Sequence, residues 1–283
     1  MSIKLISKIW EWFATHVVTM LPLKLLNKII ELLPQRIVAR LISSFKSLKI
    51  YKVSICGAEF ILESGPRDDH YLDHKKNQMR NWEHEVLTLW ASEVKNADII
   101  IDVGAYLGVY SILAAKLGPG RVLAIEPNSK SFKQLERNLA LNSLTNSVQT
   151  FQLAVGETPK SVFIITPHGR PYSSGSQVED SPTERNLKMW ESESEVQLVT
   201  LDSLVSSETH RVSLMKIDAE GYEFFILKGA SNILRHGTPK MIIELLTNEQ
   251  KFVVDGYLKN FGYEPGVAIE STKEATNFIY RKE

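Results

Sequence analysis

Apolar positions recur along the chain in two rhythms, and the sharpest switch between them falls at Ile99–Ser111, IIIDVGAYLGVYS. The β-branched run ending at Val103 suits a strand buried on both faces. It carries Asp102 and passes into a turn holding Gly104 and Gly108. Val109, Ile112, Leu113 and Leu117 then follow at helical spacing, up to Gly118-Pro119-Gly120. A second apolar run, RVLAIEP, ends in Glu126. Strand, glycine turn, helix, strand and acid in that order form half of a nucleotide-binding α/β sheet.

The same rhythms predict the flanking elements. Residues 1–50 place Ile3, Ile6, Trp10, Phe13 and Val17, then Leu26, Ile29, Ile30 and Leu33, at helical spacing. Lysines and arginines fill the gaps against only Glu11 and Glu31, giving two or three basic amphipathic helices divided near Pro22 and Pro34. No uncharged apolar run there reaches the ~20 residues of a spanning helix, and Lys8 and Glu11 interrupt any signal-peptide core. The segment is read either as a helical cap packed on the core or on a second subunit of a homo-oligomer, or as a peripheral anchor on an anionic membrane.

Leu48–Leu62 predicts a β-hairpin turning at Cys56-Gly57, and Asp73–Trp90 a helix. After Glu126, a helix capped by Ser129 or Ser131 runs to about Asn142, with Phe132, Leu135 and Leu139 as its stripe. Val148–Val155 reads as one strand, Lys160–Ile165 and Val196–Thr200 as two more, and Thr166–Pro182 as a polar loop. Val212–Ile217 delivers Asp218 to a strand end, followed by a helix to about Leu234. Met241–Leu245 carries Glu244 inside an apolar strand, where a carboxylate must be paired or lie near a site edge. A helix over about Asn248–Phe261 and antiparallel strands at Tyr263–Ile269 and Asn277–Arg281 complete the chain.

Composition narrows the picture. A length of 283 residues fits one domain at 51–283 with the appendage at 1–50. Formal net charge is zero, so nothing global points to nucleic acid as a partner. Cys56 is the only cysteine, which rules out an intrachain disulfide and a cysteine zinc site and fits a cytoplasmic protein at or near the inner membrane surface.

The glycine spacing carries the chemistry. Dinucleotide sites read G-x-G-x-x-G, with helix N–H groups meeting a pyrophosphate. Here the spacing is G-x-x-x-G and Asp102 opens the turn. A carboxylate there repels a pyrophosphate and tolerates a cationic, amino-bearing ligand such as S-adenosylmethionine. Ligands of open α/β sheets bind outside the carboxyl ends of the strands, where Asp102, Glu126 and Asp218 are all expected. By charge, Glu126 accepts ribose hydroxyls, Asp102 with Gly104, Tyr106 and Gly108 holds the methionine portion, and Asp218 borders the methyl donor. Pro127 and Asn128 join this set.

These residues resemble the class I methyltransferases and, within them, the FkbM family. The matching pieces are DVGAYLGVYS, AIEPNSKSFKQLERNLALN, LAVGE, VTLDSLV, LMKIDAEGYEFFILKGASNIL and PKMIIEL, spanning roughly Ile99–Leu245. The K-I-D-A-E-G-Y-E segment is the most specific. The resemblance implies a Rossmann-like mixed seven-stranded sheet with helices on both faces, ending in a hairpin. It implies S-adenosylmethionine as cofactor and O-methylation of a small-molecule, glycan or lipid-linked hydroxyl acceptor. In class I methyltransferases the residues after the third strand approach the adenine, so Ala154 and Val155 are candidate wall residues. The family also carries a W-E or Y-E pair before the first core strand, matched by Trp82-Glu83, and a Ser/Gly-rich segment where His168, Arg170, Tyr172 and Ser174 stand. Glu83, Arg170, Tyr172 and Ser174 are thus acceptor candidates.

An alcohol acceptor must lose its proton as the new bond forms. Asp218 and Glu220, then His168, are the candidates, with His70 and His74 behind them; each histidine also reads as an ordinary surface residue. Asp218, Glu220 and Glu244 are oxygen ligands that could take Mg²⁺, although no metal is expected, and Glu223 reads as a solvated helix residue. Two other functions compete: an NAD- or nucleotide-sugar-dependent enzyme, which the missing G-x-G-x-x-G disfavours, and a non-catalytic membrane-associated binding module, which the intact acids disfavour.

Overall fold

A computed structural model describes residues 50–63, 72–73, 78–79, 83–167, 177–179, 190–272 and 274–282. The predicted hairpin is present as β1 (Ile50–Ile55) and β2 (Ala58–Glu63), turning at Cys56-Gly57. The helix expected from Asp73 begins eleven residues later, as α1 (His84–Glu93). Short strands β3 (Leu72–Asp73) and β4 (Gln78–Met79) pair before it. Glu83 itself sits in the left-handed region, φ 46°, which a helix cannot pass through.

The central unit follows the sequence pattern. Strand β5 (Ile99–Val103) leads through the glycine turn to α2 (Val109–Leu117), then to β6 (Arg121–Ile125) and α3 (Ser129–Leu141). The cap of α3 is Asn128 rather than either serine: its Oδ1 accepts from the amides of Lys130 and Ser131 at 2.9 and 3.0 Å. The single strand expected over Val148–Val155 is two. β7 (Val148–Phe151) stays in the main sheet, whereas β8 (Ala154–Val155) joins a second sheet in the order β10-β9-β11-β8. That sheet contains β9 (Lys160–Pro167), β10 (Gln177–Glu179) and β11 (Trp190–Val199), so β10 occupies part of what the sequence read as loop.

Helix α4 (Leu201–Val205) leads into β12 (Val212–Ile217). The expected helix after Asp218 is split into α5 (Glu223–Lys228) and α6 (Ser231–His236). The break falls at Gly229, where a Cβ would lie 1.9 Å from the Gly156 carbonyl oxygen, and Asp202 caps the second half through the amides of Asn232 and Ile233. Then come β13 (Lys240–Leu245), α7 (Asn248–Lys259), β14 (Val267–Ser271) and β15 (Thr276–Tyr280).

The seven-stranded sheet runs β14-β15-β13-β12-β5-β6-β7, parallel from β13 to β7 and antiparallel at the terminal hairpin. This is the mixed sheet the sequence predicts. Side-chain alternation along its strands divides the core in two. Ile99, Ile101, Met215, Ile217, Met241 and Ile243 pack beneath α5, α6 and α7. On the opposite face Ile100, Leu214 and Ile242 meet Trp90, Ile112, Leu113 and the hairpin residues Val53, Phe60 and Leu62. The same alternation puts Asp102, Lys216 and Glu244 on that second face, at the carboxyl ends of adjacent strands.

The hairpin is tied to α3 by asparagines one helical turn apart. Asn142 donates to the carbonyl of Ile61 and accepts from its amide, at 2.6 and 2.9 Å. Asn138 accepts from the Glu63 amide at 2.7 Å and donates to Leu107 in the glycine turn at 2.9 Å. These contacts cover backbone groups that an edge strand would otherwise expose.

Candidate active site

Two turns form the floor. Gly104 and Ala105 both donate to the Ile125 carbonyl at 3.0 Å, closing the turn after β5 against the end of β6. Gly104 (φ 77°) and Gly108 (φ 87°) are left-handed, a conformation that favours glycine. Their close approaches are to protein: a Cβ on Gly104 would lie 1.8 Å from the Asp218 carbonyl oxygen, and one on Gly108 2.5 Å from Leu135 Cδ1. Tyr106, between them, is also left-handed at φ 49°.

Glu126 joins the two turns. Its Oε2 accepts from the Tyr106 amide and its Oε1 from the Asn128 amide, both at 2.9 Å. Each oxygen keeps acceptor capacity. Burial outweighs these bonds and pushes the carboxyl up to about 7. Pro127 is half-buried beside it, and Asn128 is buried as the α3 cap. Asp102, only 1% exposed, accepts from the Ser111 hydroxyl at 2.5 Å, and burial raises it to about 6.

Asp218 follows β12, and its amide donates to the Val103 carbonyl at 3.1 Å, which places it beside the glycine turn. After Ala219 come two left-handed positions, Glu220 at φ 51° and Gly221 at φ 102°. Glu223 holds this loop closed. It is 2% exposed, and its Oε1 accepts from the amides of Ala219 and Gly221 at 2.9 and 3.1 Å. The solvated helix residue read from sequence is therefore a buried loop clamp, because the chain curls back over it before α5 starts. Glu220 is half-buried; burial and then Asp218 push it up to about 7.

The residue that sequence reasoning missed is Lys216. It is 1% exposed and its Nζ lies 3.0 Å from Asp218 Oδ2 and 5.3 Å from the centre of the Tyr110 ring. Burial opposes its charge, but Asp218, Glu83 and Glu244 outweigh that and raise its pKa. Among the described residues, Glu83, Asp218 and Glu244 bring carboxylate oxygens within 4.8 Å of one another. Glu220, grouped with Asp218 and Glu244 from sequence, lies outside this set, and Glu83 stands in its place. Lys216 supplies the positive charge among these acids.

Glu83 reaches the cluster from the start of α1, where its Oε2 accepts from the Tyr110 hydroxyl. Tyr110 is fixed in turn by Trp90, edge-on at 5.5 Å and donating Nε1 to the Tyr110 carbonyl at 3.0 Å. Burial raises the Glu83 carboxyl. Glu244 is raised further, to about 9, by burial and then by Asp218; it also accepts from Asn277 Nδ2 at 3.3 Å. The sequence argument that Glu244 needs a partner is thus met. The same argument applied to Lys216, a lysine inside the apolar strand LMKI, would have found the cluster.

Ala154 and Val155 are both buried at the start of the second sheet. Ala154 packs with Val162, Ile164, Val196 and Leu198, and Val155 joins the core beneath α5. His168, Arg170, Tyr172 and Ser174 lie outside the described residues, as do Trp82, His70, His74 and the helices expected within 1–49. No described helix is long and apolar enough to cross a membrane.

The family described as "Methyltransferase FkbM domain" matches residues 102–265. Hexuronic acid methyltransferase AglP of Haloferax volcanii is 27% identical over 158 residues, 54% of this chain and 58% of that protein. Methyltransferase 1 of Beauveria bassiana is 24% identical over 166 residues, 54% of this chain and 66% of that protein. The chain thus matches less than two thirds of the length of either relative. Among solved structures, the methyltransferase FkbM from Methylobacillus flagellatus is 16% identical with a TM-score of 0.46, covering 66% of this chain and 44% of that one.

Proposed function

Because the chain belongs to the FkbM methyltransferase family, we propose that it is an S-adenosylmethionine-dependent O-methyltransferase whose acceptor is a hydroxyl of a glycan, glycolipid or polyketide-like product. One observation supports this most directly. Asp102, Glu126 and Asp218 stand at three strand ends around the glycine turn, a set of acids that, when ionised, suits a sulfonium and an amino group. The G-x-x-x-G spacing and Asp102 do not suit a pyrophosphate. Relatives described as methyltransferases, one of them of hexuronic acid, support the acceptor class.

When bound, S-adenosylmethionine supplies a methyl group already activated on sulfur. The chain's own residues do the rest. Glu126, anchored by two amides, turns its remaining lone pairs to the ribose hydroxyls. Asp102 and the turn at Gly104, Tyr106 and Gly108 take the amino-acid end. Asp218, half-exposed at the rim, accepts the proton of the acceptor hydroxyl as that oxygen gains the methyl group. Alignment of these partners is the largest catalytic demand. For residues 1–50 the proposal is a basic surface that brings the enzyme to lipid-linked acceptors on an anionic membrane.

Calorimetric titration with S-adenosylmethionine, S-adenosylhomocysteine and NAD in parallel tests the reading. Micromolar binding of the first two without NAD is expected. Binding of NAD alone overturns it.

A further inference from the structure

The charge at the centre of the acid cluster has no part in the scheme above. Lys216 is an energetically expensive residue at its position: it interrupts an apolar strand, in register with Asp102 on one side and Ile242 on the other, and is withdrawn from solvent. A buried ammonium persists only with partners that hold it. Its direct partner is Asp218 Oδ2 at 3.0 Å, and the face of Tyr110 closes one side of it. Tyr110 is itself held by Glu83 and Trp90. Apart from Asp218 itself, the groups around Lys216 are thus fixed by elements other than the loop that carries Asp218.

That loop needs an external hold. Ala219 follows Asp218, and Glu220 and Gly221 are left-handed, so the backbone there is a tight curl closed by Glu223. Glu223 fixes the amides but does not touch the Asp218 carboxylate. Lys216 does, from the rigid strand two residues back. Glu244 shares a side-chain hydrogen bond with that carboxylate from β13; among the described residues only Lys216 brings it a positive charge. The Asp218 side chain is 27% exposed and the Lys216 side chain 1%, so one member of the pair faces the rim and the other anchors it.

We propose that Lys216 is a positioning residue: its buried ammonium holds the Asp218 carboxylate at the rim, beside the place of the transferred methyl group. Glu83 and Tyr110 hold Lys216 in turn. This rests on the methyl-transfer reading of the site. It predicts that Lys216, withdrawn from solvent at 1% exposure, governs recognition of a charge at the methyl position without contributing to the rest of the cofactor's binding.

Two cofactor analogues separate these effects. Sinefungin carries a protonated amine where S-adenosylmethionine carries its methyl, and S-adenosylhomocysteine carries neither. The ratio of their dissociation constants reads the charge held at that one position, because all other contacts are shared. In the full-length protein, sinefungin is expected to bind about tenfold more tightly than S-adenosylhomocysteine, as a close charge pair allows. Asp218→Asn and Lys216→Met should each bring the ratio below about threefold while leaving S-adenosylhomocysteine affinity within about threefold of wild type. A Lys216→Met protein that keeps the wild-type ratio overturns the proposal.

Should Lys216→Met fail to fold, wild type and Asp218→Asn labelled with ¹⁵Nζ-lysine decide the matter. The wild type should show a slowly exchanging ammonium resonance that Asp218→Asn exposes to fast exchange; equal exchange in both proteins overturns the proposal. Wild-type binding of both analogues with equal affinity, abolished by Glu126→Ala, would leave the cofactor reading standing and remove the role of Lys216. Binding of neither analogue would remove both.

Discussion

Gly104 and the Asp218 carbonyl are in such close contact that a Cβ on the glycine would lie 1.8 Å from the oxygen. The turn after β5 and the loop after β12 are therefore one packed unit, and the glycine makes the approach between them rather than an opening for a ligand. Gly104→Ala must push the loops apart and also place a side chain at φ 77°. It should cost about 3 kcal/mol, from backbone strain and overpacking together. Urea denaturation checks the stability, and calorimetry should show cofactor binding lost with it.

Glu126→Ala removes the acceptor shared by the Tyr106 and Asn128 amides. The expected loss is about 100-fold in S-adenosylmethionine affinity, the value of hydrogen bonds to a charged acceptor. Far-ultraviolet dichroism should stay unchanged, because the β5 and β6 pairing does not involve this side chain. Undiminished affinity would place the ribose elsewhere.

The buried acids set a pH dependence with a definite sign. Glu126 is raised from 4.5 to about 7 and Asp102 from 3.8 to about 6. An acid whose folded pKa is raised stabilises the fold fully below its unfolded pKa, and that contribution is lost as pH rises through the folded value. The ligand-free protein should therefore melt at a higher temperature at pH 6 than at pH 8.5. On the proposed reading, in which ribose hydroxyls donate to the ionised Glu126, cofactor binding should run the other way. Affinity should rise with pH through about 7, and binding near pH 6.5 should release a proton, measured by calorimetry in buffers of different ionisation enthalpy.

Glu223→Ala leaves the Ala219 and Gly221 amides without their acceptor. A loss of about 2 kcal/mol is expected, and hydrogen exchange should accelerate at those two amides before it does in β12. Equal protection in the two proteins would show that the loop closes without its clamp.

Removal of residues 1–49 should abolish sedimentation with anionic liposomes if the basic segment is the membrane contact. Unchanged sedimentation would sink that role and leave the segment as a packing cap.

Much of this architecture was legible where one rhythm acted alone. Ile99–Val103 and Arg121–Ile125 are apolar but for Asp102 and Arg121 and are followed by glycine or acid, so the order of strand, turn, strand and following acid was legible. The errors fall where a local pattern met a tertiary contact. Nothing in the run from Val148 to Val155 signals that its last two residues leave for another sheet, since no glycine or proline marks the break between them. The helix drawn from Asp73 ignored the left-handed backbone at Glu83, which only the bond to Tyr110 and the start of α1 make intelligible. At the site, the carboxylates were visible as strand-end acids. Lys216 was not, because it was read as part of a motif and not as a buried charge in need of partners.

Asn138 grips the amide of Glu63 with one end of its side chain and the carbonyl of Leu107 with the other. A residue outside the family-matched span 102–265 is thus wired to the glycine turn through a single amide group. At the other border, β13 is lined on one side by β15, which also lies outside that span. A chain trimmed to the recognisable span would strip the glycine turn of its outer support and bare the flank of the strand carrying Glu244. The packed unit around the glycine turn is therefore wider than the span that identifies the family, and it takes in the hairpin at 50–63.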